Sequence, residues 1–445
     1  MTLPPLPVLA AHAAGWRDAP WPDGLEHHAR RALLDWFAAT LPGARRQPAT
    51  LLAAALAGER GPGQALCYVD GQRGAPRHAA LLNGIASHTV EFDDIHRDSG
   101  LHPGSPTVAA VLALAQARGA DMDALLRAMA AGYEVGGRVA LAVQPSHYRM
   151  WHTTATVGTI AAAVAGAVLL GCDAARIGHA MALAATMTGG LQQAFRGEGM
   201  SKPMHAGRAA EAGLLAAQAA AAGVTGAPDV LDGAAGFAAA TSDSTGQWGR
   251  ALEGLGARFV IGEMTFKNHG CCGHIFPALD GLLALRARHL FAPDDVVQVH
   301  IAGYRATAEI CDRPRVHTEQ EARFSLQYCV AALLHHGAVR LDAFAPERLR
   351  DPVLHGFMPR VSVSLAPELA EAYPRRRAAR LRLVLRDGTV LEHEQPTRKG
   401  DPEDPLTDAE LDAKFHELAD PVLGVPAARA LRRLIRQGTW LPGGA

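Results

Sequence analysis

Ala155-Thr156-Val157-Gly158-Thr159-Ile160-Ala161-Ala162-Ala163-Val164-Ala165-Gly166-Ala167-Val168-Leu169-Leu170-Gly171 is the longest apolar run in the chain. It falls short of the roughly 20 residues a membrane span takes, is built largely of Ala, Gly and Val, and begins beside His152. This composition predicts a buried helix in a soluble bundle, packed closely through small side chains. The same texture extends outward, from about Gly24 to Gly256, as Ala- and Leu-rich stretches with short Gly or Pro interruptions, which predicts an all-helical domain. Further on the pattern changes. Between about Val296 and Glu394, Val297, Val299 and Ile301 alternate with polar residues, as do Val361, Val363 and Leu365, and alternation marks strands. Leu381, Leu383 and Leu385, then Asp387-Gly388, then Val390-Leu391 read as a hairpin. After Pro405, Asp408 and Glu410 open a helical stretch to about Gln437 that is expected to return to the first domain. The fold class that follows is mainly α, a large all-helical domain plus a smaller α+β domain.

At 445 residues the chain is long enough for two domains. Its 43 basic and 44 acidic residues balance to a net charge of -1, and no polybasic patch marks a nucleic-acid or membrane surface. Met1 to Gly15 has no basic stretch ahead of its apolar part, so a secretory signal is not expected. Six cysteines, two of them adjacent, do not resemble a disulfide framework. The expected setting is the cytoplasm.

Four polar clusters interrupt this apolar background. In the first, Ser87-His88-Thr89-Val90-Glu91-Phe92-Asp93-Asp94-Ile95-His96 is followed by His102-Pro103-Gly104-Ser105-Pro106, a loop entering a helix near Thr107. A carboxylate that accepts from one imidazole nitrogen fixes the tautomer at the other, so this is an acid/base candidate; a solvated capping loop explains the same residues. In the second, His147-Tyr148-Arg149-Met150-Trp151-His152-Thr153-Thr154 puts His152 at a helix start, where the dipole favours a neutral imidazole or a bound anion and Thr153 or Thr154 can cap or bind a ligand. In the third, Gly199-Met200-Ser201-Lys202-Pro203-Met204-His205-Ala206-Gly207-Arg208 lacks the order of a phosphate loop. Lys202, placed before a proline, is expected in an extended or turn conformation suited to capturing a carboxylate. The fourth, Lys267-Asn268-His269-Gly270-Cys271-Cys272-Gly273-His274, suits anion binding, a thiol or a metal, and a tight interdomain turn with simply buried cysteines explains the same residues. Adjacent cysteines with a histidine two residues on fit tetrahedral zinc poorly compared with Cys-x-x-Cys pairs, so no metal is expected.

Taken together, these segments resemble the MmgE/PrpD family, whose members include 2-methylcitrate dehydratase, cis-aconitate decarboxylase and iminodisuccinate epimerase. The resemblance rests on Glu91-Phe92-Asp93-Asp94 with His102-Pro103, His152 to Gly158, Ser201 to Gly207 and Lys267 through Asp280. It extends to Tyr328 to Ala332, Asp404 to Thr407 and Lys414-Phe415, and so to nearly the whole chain. It implies a helical domain over residues 1–266 and 396–445, an α+β lid over 267–395, a homodimer, and a metal-free, cofactor-independent site between the domains that acts on di- or tricarboxylates. By resemblance His102, His152, Lys202, Lys267 and an acidic residue, taken as Asp93, are catalytic, while Glu91 and Asp94 stay eligible for the acidic role. Asp94, Tyr148, Thr153, His205, His269, Cys272 and His274 are expected to line the substrate. This chain departs from the family's pattern at His269-Gly270, where many members carry an aromatic residue and a proline, and at Ile95, where the decarboxylases carry threonine.

The expected chemistry has Lys202 and Lys267 holding carboxylates while an enediolate forms. One of His152 and His102 takes a proton and the other gives one. Loss of a hydroxyl would be dehydration, loss of carbon dioxide decarboxylation, and return of the proton on the other face epimerisation. Dehydration of the 2-methylcitrate type comes first, because it asks only for an acid and a base. Outside enzymes, a non-catalytic carboxylate-binding protein stays open.

Overall fold

A computed structural model describes residues 4–195, 199–373 and 375–441. It divides into two units, Met1–Thr265 with Thr407–Ala445, and Phe266–Leu406.

The first unit is a helical assembly. Its longer members are α1 (Leu25–Gly43), α2 (Pro76–Ser87), α3 (Gly104–Arg118), α4 (Met122–Val143), α5 (Thr153–Leu169), α6 (Ala174–Thr186) and α7 (Ser201–Ala221). The Ala- and Gly-rich run is the hub: every residue from Thr153 to Val168 is buried, and α3, α4, α6 and α7 pack around it. Small residues let these backbones touch. A Cβ on Gly207 would lie 2.2 Å from the Leu81 carbonyl oxygen, and one on Gly84 would lie 2.8 Å from Gly207 Cα, so α2 and α7 meet backbone to backbone. The unit is not purely helical, because Ala65–Leu66 and Arg73–Gly74 form a short antiparallel ladder. Lys202 departs from the extended conformation expected for a residue before proline. It sits in the first turn of α7, where a proline has no intrahelical hydrogen bond to lose.

The second unit holds α8 (Phe276–Arg288), β1 (Val296–Gly303), α9 (Leu326–His336), β2 (Val361–Leu365), β3 (Ala379–Leu385) and β4 (Val390–Gln395). The sheet order is β2-β1-β3-β4, with β1 parallel to β2 and antiparallel to β3. The β3/β4 hairpin turns at Asp387-Gly388, where Gly388 takes φ 87°. Val299, Ile301, Leu381, Leu383 and Leu391 share a core with Leu279 and Leu282 of α8 and Leu333 of α9. The alternation in β1 is broken: a register shift between Val296 and Gln298 turns Val296 inward and leaves Val297 51% exposed.

Residues 396–406, expected with the helical domain, cluster with the second unit. Arg398 pairs with Asp401 at 2.7 Å, the Lys399 N–H donates to Asp280 at 2.8 Å, and the Phe266 N–H donates to the Gly400 carbonyl at 3.1 Å. The chain then re-enters the helical unit through α10 (Asp408–Leu423) and α11 (Val425–Gln437). Thr407 and Glu410 form a capping box at the start of α10. That helix is fastened to α1 by a buried ion pair, Lys414 to Asp35 at 2.6 Å. Among the described residues no helix is long and apolar enough to cross a membrane.

Candidate active site

The loop between α2 and α3 separates three carboxylates that are nearly adjacent in sequence. Glu91 is the one non-glycine residue with positive φ, 58°, among those described. Such backbone costs a side-chain-bearing residue energy and persists where surroundings enforce it. Its carboxylate pairs with Lys202 of α7. Asp93, fully buried, turns the other way. Its Oδ2 accepts from His88 Nδ1 at 2.7 Å and from the Ser105 hydroxyl at 3.0 Å, and lies 3.0 Å from His102 Nδ1. Asp94 belongs to the packing behind the site. Its oxygens accept from the Gly104 N–H (3.0 Å) and the Tyr133 hydroxyl (2.7 Å). Burial first, and then the negative charge of Asp35, pushes its carboxyl up to about 8. Between Glu91 and Asp93 the Phe92 carbonyl is held by Lys414 Nζ at 2.9 Å.

His152, the residue before α5, forms the facing wall. Its N–H donates to the Gly190 carbonyl (3.0 Å), and its ring stacks on His88 at 5.4 Å and 23°. Phe195 stands edge-on to it at 4.8 Å. The Lys202 ammonium lies 5.3 Å from the centre of the same phenyl ring. His152 Nδ1 is 3.0 Å from His205 Nδ1, a turn along α7 from Lys202. Burial first, and then the neighbouring His88, Lys202, His205 and His102, hold His152 well below the usual imidazole range. Burial, with His88 and Lys202 adding, brings His205 down to about 4. Both imidazoles are therefore neutral at pH 7. The hydroxyl of Thr153 is taken by Gln144 (2.9 Å), and that of Thr154 accepts the His102 N–H (3.2 Å). Tyr148 is exposed beside Gly100.

The helical unit thus brings together His88, Glu91, Asp93, His102, His152, Lys202 and His205. Of these, His88 carried no expected role and Glu91 was one of three eligible acids; Phe195 was not foreseen. The ligand atoms of His88, Asp93 and His102 lie within 4.8 Å of one another, the one such group among the described residues. Their contacts with the Asp93 oxygen, 2.7 and 3.0 Å, are hydrogen-bond spacings. Ligand atoms around a tetrahedral zinc stand about 3.3 Å apart, and the same oxygen is also taken by Ser105. Those spacings and the Ser105 contact fit a carboxylate–histidine cluster better than a tetrahedral zinc site.

The run from Lys267 to His274 lies in the second unit and is a packed turn. Lys267 is buried. His269 Nε2 meets Asp280 at 2.9 Å, and the Gly270 carbonyl accepts from Arg323. Cys271 and Cys272 belong to the unit's core, where burial and then Cys329 raise the Cys271 thiol well above its usual range. His274 Nδ1 meets the Tyr304 hydroxyl at 2.8 Å. Burial, then the charges of Arg377 and Arg398, bring that imidazole down to about 3. These side chains turn to separate partners and do not converge as metal ligands.

The helical unit carries a buried lysine–glutamate pair among histidines, and the chain continues into a smaller α+β unit. The chain belongs to the MmgE/PrpD family: the model of that family's N-terminal domain matches residues 8–247, and that of its C-terminal domain matches residues 269–437. It is 26% identical to the cis-aconitate decarboxylase of Homo sapiens, over 81% of this chain and 76% of the relative. It is 28% identical to the cis-aconitate decarboxylase-like protein oryM of Aspergillus oryzae, over 90% and 88%. With the cis-aconitate decarboxylase of Aspergillus terreus the identity is 24%, over 93% and 89%. Family and relatives together make it a lyase-type enzyme.

Proposed function

We propose that the protein decarboxylates an unsaturated tricarboxylic acid of the cis-aconitate type, using its own side chains for binding and proton transfer. The observation that carries this reading is the setting of Lys202. This buried cation and the carboxylate-backed imidazole of His102 both act on the neutral imidazole of His152. The relatives named above, all cis-aconitate decarboxylases or like them, support decarboxylation over the dehydration that the residues alone put first.

In the reaction the bond from a methylene carbon to its carboxylate breaks, and its electron pair forms a new double bond to the neighbouring carbon. The old π pair moves to the far alkene carbon, which takes a proton, and carbon dioxide leaves. The charge that develops spreads into the adjacent carboxylate, where Lys202 stabilises it. His152 gives the proton, and His102, held by Asp93, hydrogen-bonds the substrate. One proton is consumed per turnover.

Dehydration keeps one specific support, since His152 and His102 supply both a base and an acid. The second unit's Lys267 is tested by substitution alongside Lys202. The deciding experiment is proton NMR in deuterated water with cis-aconitate, a 2-methylcitrate-like acid and iminodisuccinate. New methylene vinyl signals with loss of one carboxyl support the proposal. Water elimination from the hydroxy acid would replace it with dehydration, and deuterium wash-in without product would replace it with epimerisation. No reaction with any of them would refute it.

A further inference from the structure

Two imidazole Nδ1 atoms 3.0 Å apart can be neighbours only with one proton between them, one ring donating and the other accepting. Here the two rings differ in surroundings. His152 is 2% exposed, clamped by the His88 ring on one face and by the edge of Phe195. His205 is only partly buried and rests against Gly190, where a Cβ would stand 3.3 Å from its Nδ1 and 2.3 Å from Ala155 Cβ. The absence of a side chain at Gly190 makes room for the pair.

We infer that His205 is a positioning residue that keeps the shared proton on His152 Nδ1, and that the pair takes up one further proton, on His152 Nε2, when a polycarboxylate binds. This rests on the reading that the site takes polycarboxylates, and adds where the consumed proton comes from. The balance is simple. Empty site, trianion and one proton form the bound state; His152 Nε2 gives that proton to the substrate carbon; dianion and carbon dioxide leave, and the pair is again neutral with its shared proton in place. The groups around His152 explain the coupling. His88 after α2, His102 before α3, and Lys202 and His205 on α7 are all cationic or potentially so, and Glu91 on Lys202 and Asp93 on His88 and His102 are the neighbouring anions. An added proton is repelled in the empty site, and a bound polyanion cancels that repulsion.

The test is calorimetry of the whole protein with propane-1,2,3-tricarboxylate, a saturated acid that cannot react, in buffers of different ionisation enthalpy near pH 7.5. The wild type is expected to take up about one proton per site, its affinity falling about tenfold per pH unit above neutrality by linkage. His205→Phe is expected to lose most of that uptake, with His205→Asn, which keeps an acceptor near the same place, in between. Circular dichroism confirms that each variant is folded, and the pH dependence of wild-type affinity gives an independent reading. Binding without uptake, or uptake undiminished in both variants, overturns the inference alone. No binding to the wild type overturns the polycarboxylate reading and the inference with it.

Discussion

Replacing Lys414 by methionine removes a cation from one of the most buried places in the protein. Lys414 and Asp35 are at most 1% exposed, with Nζ 2.6 Å from Asp35 and 2.9 Å from the Phe92 carbonyl. The variant removes the cation from beside the buried Asp35 carboxyl group, whose charge in the wild type helps to raise Asp94. Breaking a buried pair from one side costs about 3–5 kcal/mol. For a helical unit of about 300 residues, size scaling converts that to a fall in Tm of about 5–8 °C. The double variant Lys414→Met with Asp35→Leu removes both charges and is expected to recover most of the loss, short of about 1–3 kcal/mol for the Phe92 carbonyl left without its donor. Thermal unfolding followed by circular dichroism on the wild type, both single variants and the double makes a complete cycle. Because Phe92 separates Glu91 from Asp93, the single variant is also expected to lose activity while still folded. A Tm within about 1 °C of wild type, or a double variant no more stable than Lys414→Met, would refute the argument.

Other substitutions probe the site directly. Asp93→Asn keeps the shape but removes the charge beside His88 and His102; kcat is expected to fall about 10³–10⁴-fold, by analogy with triads whose carboxylate is replaced, with tricarboxylate affinity changed far less. Lys202→Arg is expected to behave more like Lys202→Met than like wild type, each raising KM by about 10–100-fold for a lost charged hydrogen bond; an arginine variant with normal KM would argue against a point-charge role. Asp94 ionises near 3.8 in an unfolded chain but near 8 when folded. The folded state therefore binds more protons between those values, and this group's contribution to stability, complete below pH 4, is lost as pH rises through 8. Asp94→Asn should then gain on wild type in urea denaturation between pH 5 and pH 8.5; a constant difference would exclude it. Gly207→Ala, whose Cβ would strike the Leu81 carbonyl, is expected to cost about 1–3 kcal/mol and to lower activity, measured together on one preparation.

Local signals were readable along the chain. The small-residue helix, the Asp387-Gly388 hairpin and the position of His152 at a helix start depend on neighbours in sequence, and periodicity and capping record them. What was hidden depends on distance. Lys202 meets Glu91 across 111 residues, and His152 meets His205 across 53; no spacing rule links them. Lys202 itself obeyed the helix it starts rather than the proline it precedes. Val297 misled because a bulge shifts the face of a strand without changing its composition. His88 had a legible clue, five residues before Asp93 at the end of a helix, but a histidine there is as often a cap as a partner. The fourth cluster shows how letters and contacts can diverge. His269, Cys272 and His274 look reactive as letters, yet each is taken by a partner in its own unit.

The contact of Gly84 with Gly207 acts as a gauge block for the chemistry. His88 follows α2 by one residue, and Lys202 and His205 occupy the first turns of α7. Their separation is set where two main chains meet, with no side chain between to be lengthened, shortened or rotated. Enlarging the site by sliding these helices would mean breaking that contact, so room for a longer or bulkier acid is to be sought in the segments the helices do not fix, residues 95–101 and 188–195. Those are the positions to randomise in a search for altered substrate choice.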